Sequence, residues 1–370
     1  MKVLLDPQIF HSQRFGGISR LFVELWKYSV NSKEVTIDCP VVYTENYHLN
    51  ESSLKPKNIF NILHGVHFKG VGRIKDILKS SSIKKTKQKV ERQQFDVFLS
   101  TYYNPYFLDN LGKKPFILTV YDMIHEIFPE YFPSDTKTVP QKRMLINCAD
   151  RIIAISNQTK NDILKFYPNV SPDKIDVIYL SQTIIDNGTV VENLPGNFVL
   201  FVGNRDAYKN FDLFAESMVP FLKKDSSLTI VCAGGGNLTV NENVMLQKLG
   251  IDKKIVQVNY KDSELASFYK KARAFVFPSA YEGFGIPTLE AMKCGCPVIL
   301  ANSSCLPEVG GDAVLYFESN EKDSLSDVID KILNDESIRK ELIQKGLRQV
   351  NEFSWEKTAE GYFNVIKNFA

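Results

Sequence analysis

Excess charge of one sign is missing from this 370-residue chain: 45 Lys and Arg stand against 43 Asp and Glu, a formal net charge of +2. So balanced a composition offers no general attraction for a phosphodiester backbone, and no nucleic-acid partner is expected. Long apolar runs are missing too. No stretch approaches eighteen apolar residues, and the start, MKVLLDPQIF, has too short an apolar stretch before Asp6 to serve as a secretory leader, so a cytoplasmic location is expected. The six cysteines, Cys39, Cys148, Cys232, Cys294, Cys296 and Cys305, follow no disulfide framework and read as reduced thiols. Cys294 and Cys296 lack the His or second Cys pair of a zinc site, so no metal is expected. Nor is the first apolar run followed by a Gly-x-Gly-x-x-Gly turn with an acid about twenty residues on, which argues against a bound dinucleotide; no cofactor is expected.

What is present is an alternation. Hydrophobic residues make up 44% and charged residues 24%, globular values in a chain long enough for two cores with a cleft between them. Short β-branched runs at 2–6, 35–43, 96–100, 116–120 and 151–156 alternate with longer helical stretches, and a second series follows at 197–203, 227–235, 254–260, 274–279 and 297–301. This predicts an α/β protein of two Rossmann-like, doubly wound parallel-sheet domains. The polar, turn-rich stretch 181–196, with Asn187-Gly188 and Pro195-Gly196, is the expected linker. Residues 1–183 then form the first domain and 184–353 the second. The tail 354–370, with Trp355, Tyr362, Phe363, Val365, Ile366 and Phe369 at helical spacing, is expected to dock back on the first domain. The segment 69–92 carries nine Lys or Arg against two acids; it is either a solvated helix face or a contact for anionic lipid headgroups.

The stretch SAYEGFGIPTLEAMKCGCPVIL carries the most chemistry. A helix starting near Ile286 or Pro287 leaves the amides of Phe284, Gly285 and Ile286 aimed at one spot beyond the strand ends, a place for an anion. Glu282 in the preceding loop and Glu290 one turn into the helix flank that spot, so a hydroxyl-rich ligand with a central phosphate fits. In FVGNRDAYKNF, Arg205 and Lys209 lie four apart in a strand-to-helix turn, where a fork and an ammonium can hold a pyrophosphate. The glycine turns CAGGGN (232–237) and FGGISR (15–20) let backbone approach a ligand closely.

Taken together, GNRDAYKN, YEGFGIPTLEAM and SSCLPEVGGDAVLYF resemble glycosyltransferase family 4, the retaining group with the two-domain GT-B fold. The resemblance covers most of the second half. It implies that Glu282 touches donor-sugar hydroxyls, that the amides of Gly283, Phe284, Gly285 and Ile286 hold sugar and phosphate, and that Glu290 takes the ribose. It places Arg205 and Lys209 on the diphosphate, Gly16 and Gly17 over it, Gly234 in the donor site, and the nucleobase near Val258, Asn259 and Tyr260. Many relatives carry a His-Asp pair where this chain has Tyr121-Asp122, so Asp122 with His125, three residues on, takes the catalytic place in the first domain, Tyr121 being the alternative. The implied donor is a nucleotide diphosphate sugar and the acceptor a saccharide or lipid-linked saccharide, approached through aromatics such as Tyr102, Tyr103, Tyr106 and Phe107 or with these merely packed. Peripheral contact with the inner face of the cell membrane through 69–92 would fit such an acceptor. No Asp-x-Asp occurs, so cationic side chains would replace the metal that bridges the diphosphate in the other main glycosyltransferase fold. A catalytically silent sugar-nucleotide-binding module and a GT-B epimerase are the rival readings.

Overall fold

The computed structural model describes residues 1–56, 71–205 and 207–370. Two compact units divide it: Met1–Leu180 together with Trp355–Ala370, and Ser181–Ser354. Among the described residues no helix is long and apolar enough to cross a membrane.

Unit 1 is built on six parallel strands, β1 (Lys2–Leu5), β2 (Thr36–Asp38), β3 (Val97–Ser100), β4 (Phe116–Val120), β5 (Arg151–Ala154) and β6 (Ile175–Val177), in the order β2-β1-β3-β4-β5-β6. Strands β3 and β4 are buried along their whole length, as the near-continuous apolar runs VFLS and FILTV require of strands covered on both faces. The run 35–43 pairs only over Thr36–Asp38. Pro40 has no amide to give a neighbour, and the strand sits at the sheet edge where short pairing suffices. Helix Trp355–Lys367 lies in this unit against helix Gly17–Val30: the Tyr28 and Phe363 rings meet edge to face at 5.4 Å, Tyr362 bonds the Thr119 hydroxyl at 3.0 Å, and Thr358 donates to the Tyr179 carbonyl at 2.8 Å. Tyr362 is fully buried, which accounts for the apolar spacing of the tail.

Unit 2 repeats the architecture with β7 (Phe198–Val202), β8 (Thr229–Ala233), β9 (Ile255–Val258), β10 (Ala274–Phe277), β11 (Val298–Ala301) and β12 (Leu315–Phe317), all parallel, in the order β12-β11-β10-β7-β8-β9. The chain winds outward from β7 through β8 to β9, then returns to the other side of β7 with β10. The loops after β7 and β10 therefore leave the sheet in opposite directions and open a crevice beyond the strand ends, the usual ligand position in such sheets. In unit 1 the same reversal falls between β1 and β3. Stretch 181–196 lies in unit 2, where the Val191 amide donates to Ser267 and its carbonyl accepts from Lys271.

Candidate active site

At the crevice of unit 2 the loops after β7 and β10 are tied to each other. The Ala280 amide donates to the Tyr208 carbonyl at 2.8 Å, and Asn210, held in the left-handed conformation at φ 53°, donates to the Pro278 carbonyl at 3.0 Å. The Glu282 amide bonds Ser304 Oγ at 3.0 Å, and Ser303 Oγ bonds the Ser279 carbonyl, so a third loop, after β11, braces the second. These ties set Lys209 Nζ 2.5 Å from Glu282 Oε1, both side chains still partly open to solvent. The ammonium also lies 4.9 Å from the centre of the Tyr208 ring and 5.7 Å from that of Phe277, faces that favour a cation.

Immediately beyond, Gly285 turns the chain at φ 88° into helix Ile286–Lys293, with Pro287 in its first turn. A Cβ on Gly285 would come within 2.9 Å of Leu306 Cδ2, so the tight entry needs glycine twice over. Glu290 lies inside this helix, 7% exposed, with the Tyr269 hydroxyl 3.4 Å from its Oε2. It faces inward more than the sequence alone indicates. Near the end of β9, Gln257 donates to the Gly234 carbonyl at 3.4 Å and to Asn259 Oδ1 at 3.2 Å, and the Gly234 amide bonds the Val258 carbonyl, which puts Gly234, Val258 and Asn259 in one patch.

Arg205 is engaged by protein groups. Its guanidinium faces the loop after β8, with Nε on Glu242 Oε1 at 2.6 Å and both Nη atoms on carbonyls of residues 234–237. Glu242 was foreshadowed only by the Thr-x-x-Glu pattern of a helix capping box, Thr239 to Glu242.

In unit 1, Asp122 follows β4 and its Oδ1 accepts the Ile124 amide at 3.1 Å. His125 sits in the short helix Ile124–Ile127, its Nε2 3.3 Å from Asp135 Oδ2 and its ring 4.2 Å from Phe132; Nδ1 is buried without a hydrogen-bond partner among the described residues. Tyr121, the alternative, is 3% exposed and its hydroxyl donates to the Thr101 carbonyl at 2.8 Å, directed into the unit. Of the aromatics considered for an acceptor, Phe107 is stacked on Phe98 at 4.1 Å and Tyr103 is buried, so both pack, while Tyr106 donates to Asp6. Gly16, at φ 149°, starts helix Gly17–Val30; a Cβ there would lie 2.4 Å from the Gln13 side chain, whose oxygen instead caps the Ser19 amide at 2.9 Å.

Two groups here had no signal in the sequence. Asp6, at the end of β1, is fully buried and gathers Tyr106, Gln8 and the Thr101 amide and hydroxyl from the loop after β3; burial pushes its carboxyl up to about 7 against those bonds. Lys142, from helix Thr138–Cys148, is buried with its Nζ 2.8 Å from Glu126 Oε2 and 3.1 Å from the Asp122 carbonyl, fixing the backbone of the Asp122 loop from behind.

Two six-stranded parallel sheets flanked by helices, each with one reversal of strand order, are the GT-B architecture. Sucrose-phosphate synthase from Thermosynechococcus elongatus has the same fold at a TM-score of 0.72 over 100% of this chain and 98% of that one, with 18% identity. The models described as "Glycosyltransferase Family 4" and "Glycosyl transferases group 1" match residues 15–180 and 187–349. The O-antigen chain mannosyltransferase B of Escherichia coli is 30% identical over 285 residues, 72% of this chain and 74% of that protein. The serotype-specific mannosyltransferase WbdA of the same organism is 27% identical over 60% of this chain, which spans only 29% of WbdA's length. The chain belongs to glycosyltransferase family 4.

Proposed function

We propose that the chain transfers a hexosyl group, specifically mannosyl, from a nucleotide diphosphate sugar to a saccharide or lipid-linked saccharide in surface polysaccharide assembly, with retention of configuration and without a metal. The observation that carries this reading is the Lys209–Glu282 pair, held 2.5 Å apart by two loops at the reversal point, next to the start of helix Ile286–Lys293. In the free protein each charge neutralises the other. A diphosphate at the helix start draws Lys209 toward itself, and Glu282 is then released to accept hydrogen bonds from sugar hydroxyls. As the bond from sugar to phosphate loosens, negative charge grows on the leaving pyrophosphate, where Lys209 and the amides of Gly283 to Ile286 oppose it. The departing phosphate can take the acceptor's proton, so the chemistry needs no carboxylate of raised pKa. Glu290 is assigned to the ribose, Val258 and Asn259 to the base, and Gly16 and Gly17 to a backbone approach on the donor. Asp122 and His125 are the catalytic candidates of unit 1, His125 oriented by Asp135 on its Nε2. Mannose as the sugar is supported by the likeness to the O-antigen mannosyltransferases.

Contact with an anionic membrane surface is part of the same reading. On helix Val71–Glu91, Lys75 and Lys79 pair with Glu45 and Lys89 with Asp38, while Arg73, Lys84, Lys85 and Lys87 are exposed beside exposed Ile74 and Ile77. Exposed isoleucines among exposed lysines and an arginine suit a basic surface that rests on lipid. Lys69 lies outside the described residues.

The test is incubation with GDP-mannose, UDP-glucose and UDP-N-acetylglucosamine, with and without oligomannose acceptors, in excess EDTA. The expected result is acceptor-dependent release of nucleoside diphosphate and a product whose anomeric configuration matches the donor's. A donor altered without acceptor identifies an epimerase, binding without turnover a silent module, and activity lost to EDTA and restored by magnesium or manganese overturns the metal-free mechanism.

A further inference from the structure

The loop after β8 holds three successive glycines at positive φ, Gly234, Gly235 and Gly236 at 79°, 71° and 72°. Four carbonyls of this stretch converge on Arg205: that of Gly234 is 3.2 Å from Nη1, and those of Gly235, Gly236 and Asn237 are 3.3, 3.0 and 3.1 Å from Nη2. The third edge of the guanidinium, Nε, meets Glu242 Oε1 at 2.6 Å, and the Arg205 side chain is 3% exposed. Glu242 is held in turn by its capping box: its Oε2 accepts the Thr239 amide and its own amide bonds Thr239 Oγ1. Burial works to raise the Glu242 carboxyl, but the Thr239 amide and Arg205 outweigh it and hold it below the ordinary range.

No space separates the loop from its clamp. A Cβ on Gly235 would lie 2.4 Å from the Gly203 carbonyl and 2.9 Å from Arg205 Nη1. To reach a phosphate, the Arg205 side chain, 3% exposed, would have to give up Glu242 and four carbonyls at once, whereas the Lys209 side chain, 18% exposed, gives up its bond to Glu282. On its far side the loop sets the end of β9: the Gly234 amide bonds the Val258 carbonyl at 2.8 Å, and a Cβ on Gly234 would meet the Tyr260 ring at 3.2 Å.

We propose that Arg205, with Glu242, is a positioning residue that shapes the nucleoside end of the donor site, and that Lys209 is the side chain that meets the diphosphate's charge. This rests on the nucleotide-sugar reading above. Two measurements separate the roles, made on wild type, Arg205→Lys, Arg205→Gln, Glu242→Gln and Lys209→Met. Titration calorimetry with GDP, GMP, UDP and UMP gives the preference for diphosphate over monophosphate, and hydrogen exchange of the free proteins reads the amides of residues 235–237. A positioning role predicts that Arg205→Lys and Glu242→Gln weaken mono- and diphosphate by the same factor, at least about fivefold, while Lys209→Met lowers the diphosphate preference by about tenfold or more. It also predicts that both Arg205→Lys and Glu242→Gln speed loop exchange by at least about tenfold, since lysine keeps the charge but not the fork. Rescue of diphosphate preference by lysine after its loss in Arg205→Gln, a loss of that preference in Arg205→Lys itself, or loop exchange unchanged in Glu242→Gln overturns the assignment. If wild type binds none of the four nucleotides, the donor reading fails, and the exchange data alone decide the clamp.

Discussion

Replacing Lys142 by Met removes a cation that no water reaches: its side chain is 0% exposed and that of its partner Glu126 4%. Three groups lose their contact at once. Among the described residues the Glu126 carboxylate keeps the Tyr167 hydroxyl at 3.1 Å, the Asp122 carbonyl loses a donor at 3.1 Å, and the Tyr103 ring loses a cation 5.1 Å from its centre. Breaking one side of a buried pair costs about 3–5 kcal/mol, because the surviving charge stays in a low-dielectric site. Substituting both partners, Lys142→Met with Glu126→Leu, strands no charge; the remaining losses are the Asp122 carbonyl, which the single variant also loses, and the Tyr167 hydroxyl, about 1–3 kcal/mol each. The chain offers a clean assay. Its two tryptophans, Trp26 and Trp355, both lie in unit 1, so urea unfolding followed by tryptophan fluorescence reports that unit without unit 2. The expected order is wild type, then the double variant, then Lys142→Met. A loss below about 1 kcal/mol in Lys142→Met, or a double variant no more stable than the single, would refute the reasoning.

Three further outcomes are expected. Glu282→Gln leaves urea unfolding nearly unchanged, because the Lys209 pair is partly solvated, but lowers turnover by at least about tenfold; near-normal rates would remove Glu282 from the site. The Asp6 carboxyl, raised from 3.8 to about 7, binds its proton more tightly in the folded chain, so its stabilisation is complete below about pH 4 and is lost as the pH rises through about 7. The stability of unit 1 should therefore decline between about pH 4 and 7 by up to about 1.4 kcal/mol per pH unit and level off above, read from urea midpoints, and Asp6→Asn should flatten that decline. Finally, wild type should co-sediment with anionic vesicles at low salt and be released at high salt, with charge reversal of Lys84, Lys85 and Lys87 abolishing it and reversal of Lys89, which Asp38 holds, having less effect; absence of binding at low salt rejects the membrane contact.

The sheet strands were legible because parallel strands covered on both faces read as apolar runs: Phe116–Val120 is fully buried and pairs over the whole run seen in the sequence. The edge strands β6 and β12, three residues each and partly exposed, lack that signal. The start of the helix at Ile286 was legible from glycine and proline chemistry, which is local. The aim of a long side chain is not. Arg205 stands in the right turn but reaches 37 residues along the chain to Glu242, and Lys142 finds Glu126 across a loop; neither spacing follows a helical or strand period, so only the fold brings these partners together. Tyr103 and Phe107 show the same limit in reverse, since aromatic residues that suit a sugar also suit a core.

Because unit 1 is completed by helix Trp355–Lys367, the two units finish in the opposite order to their first residues. On a ribosome, residues 181–354 are all available before the helix that fills the space beside Thr119 and Tyr28 exists, so unit 2 can close while the earlier-made unit 1 waits with that groove bare. A premature stop after Ser354 would thus spare the later unit and injure the earlier one, and the nascent chain would need its apolar groove shielded until the final helix arrives.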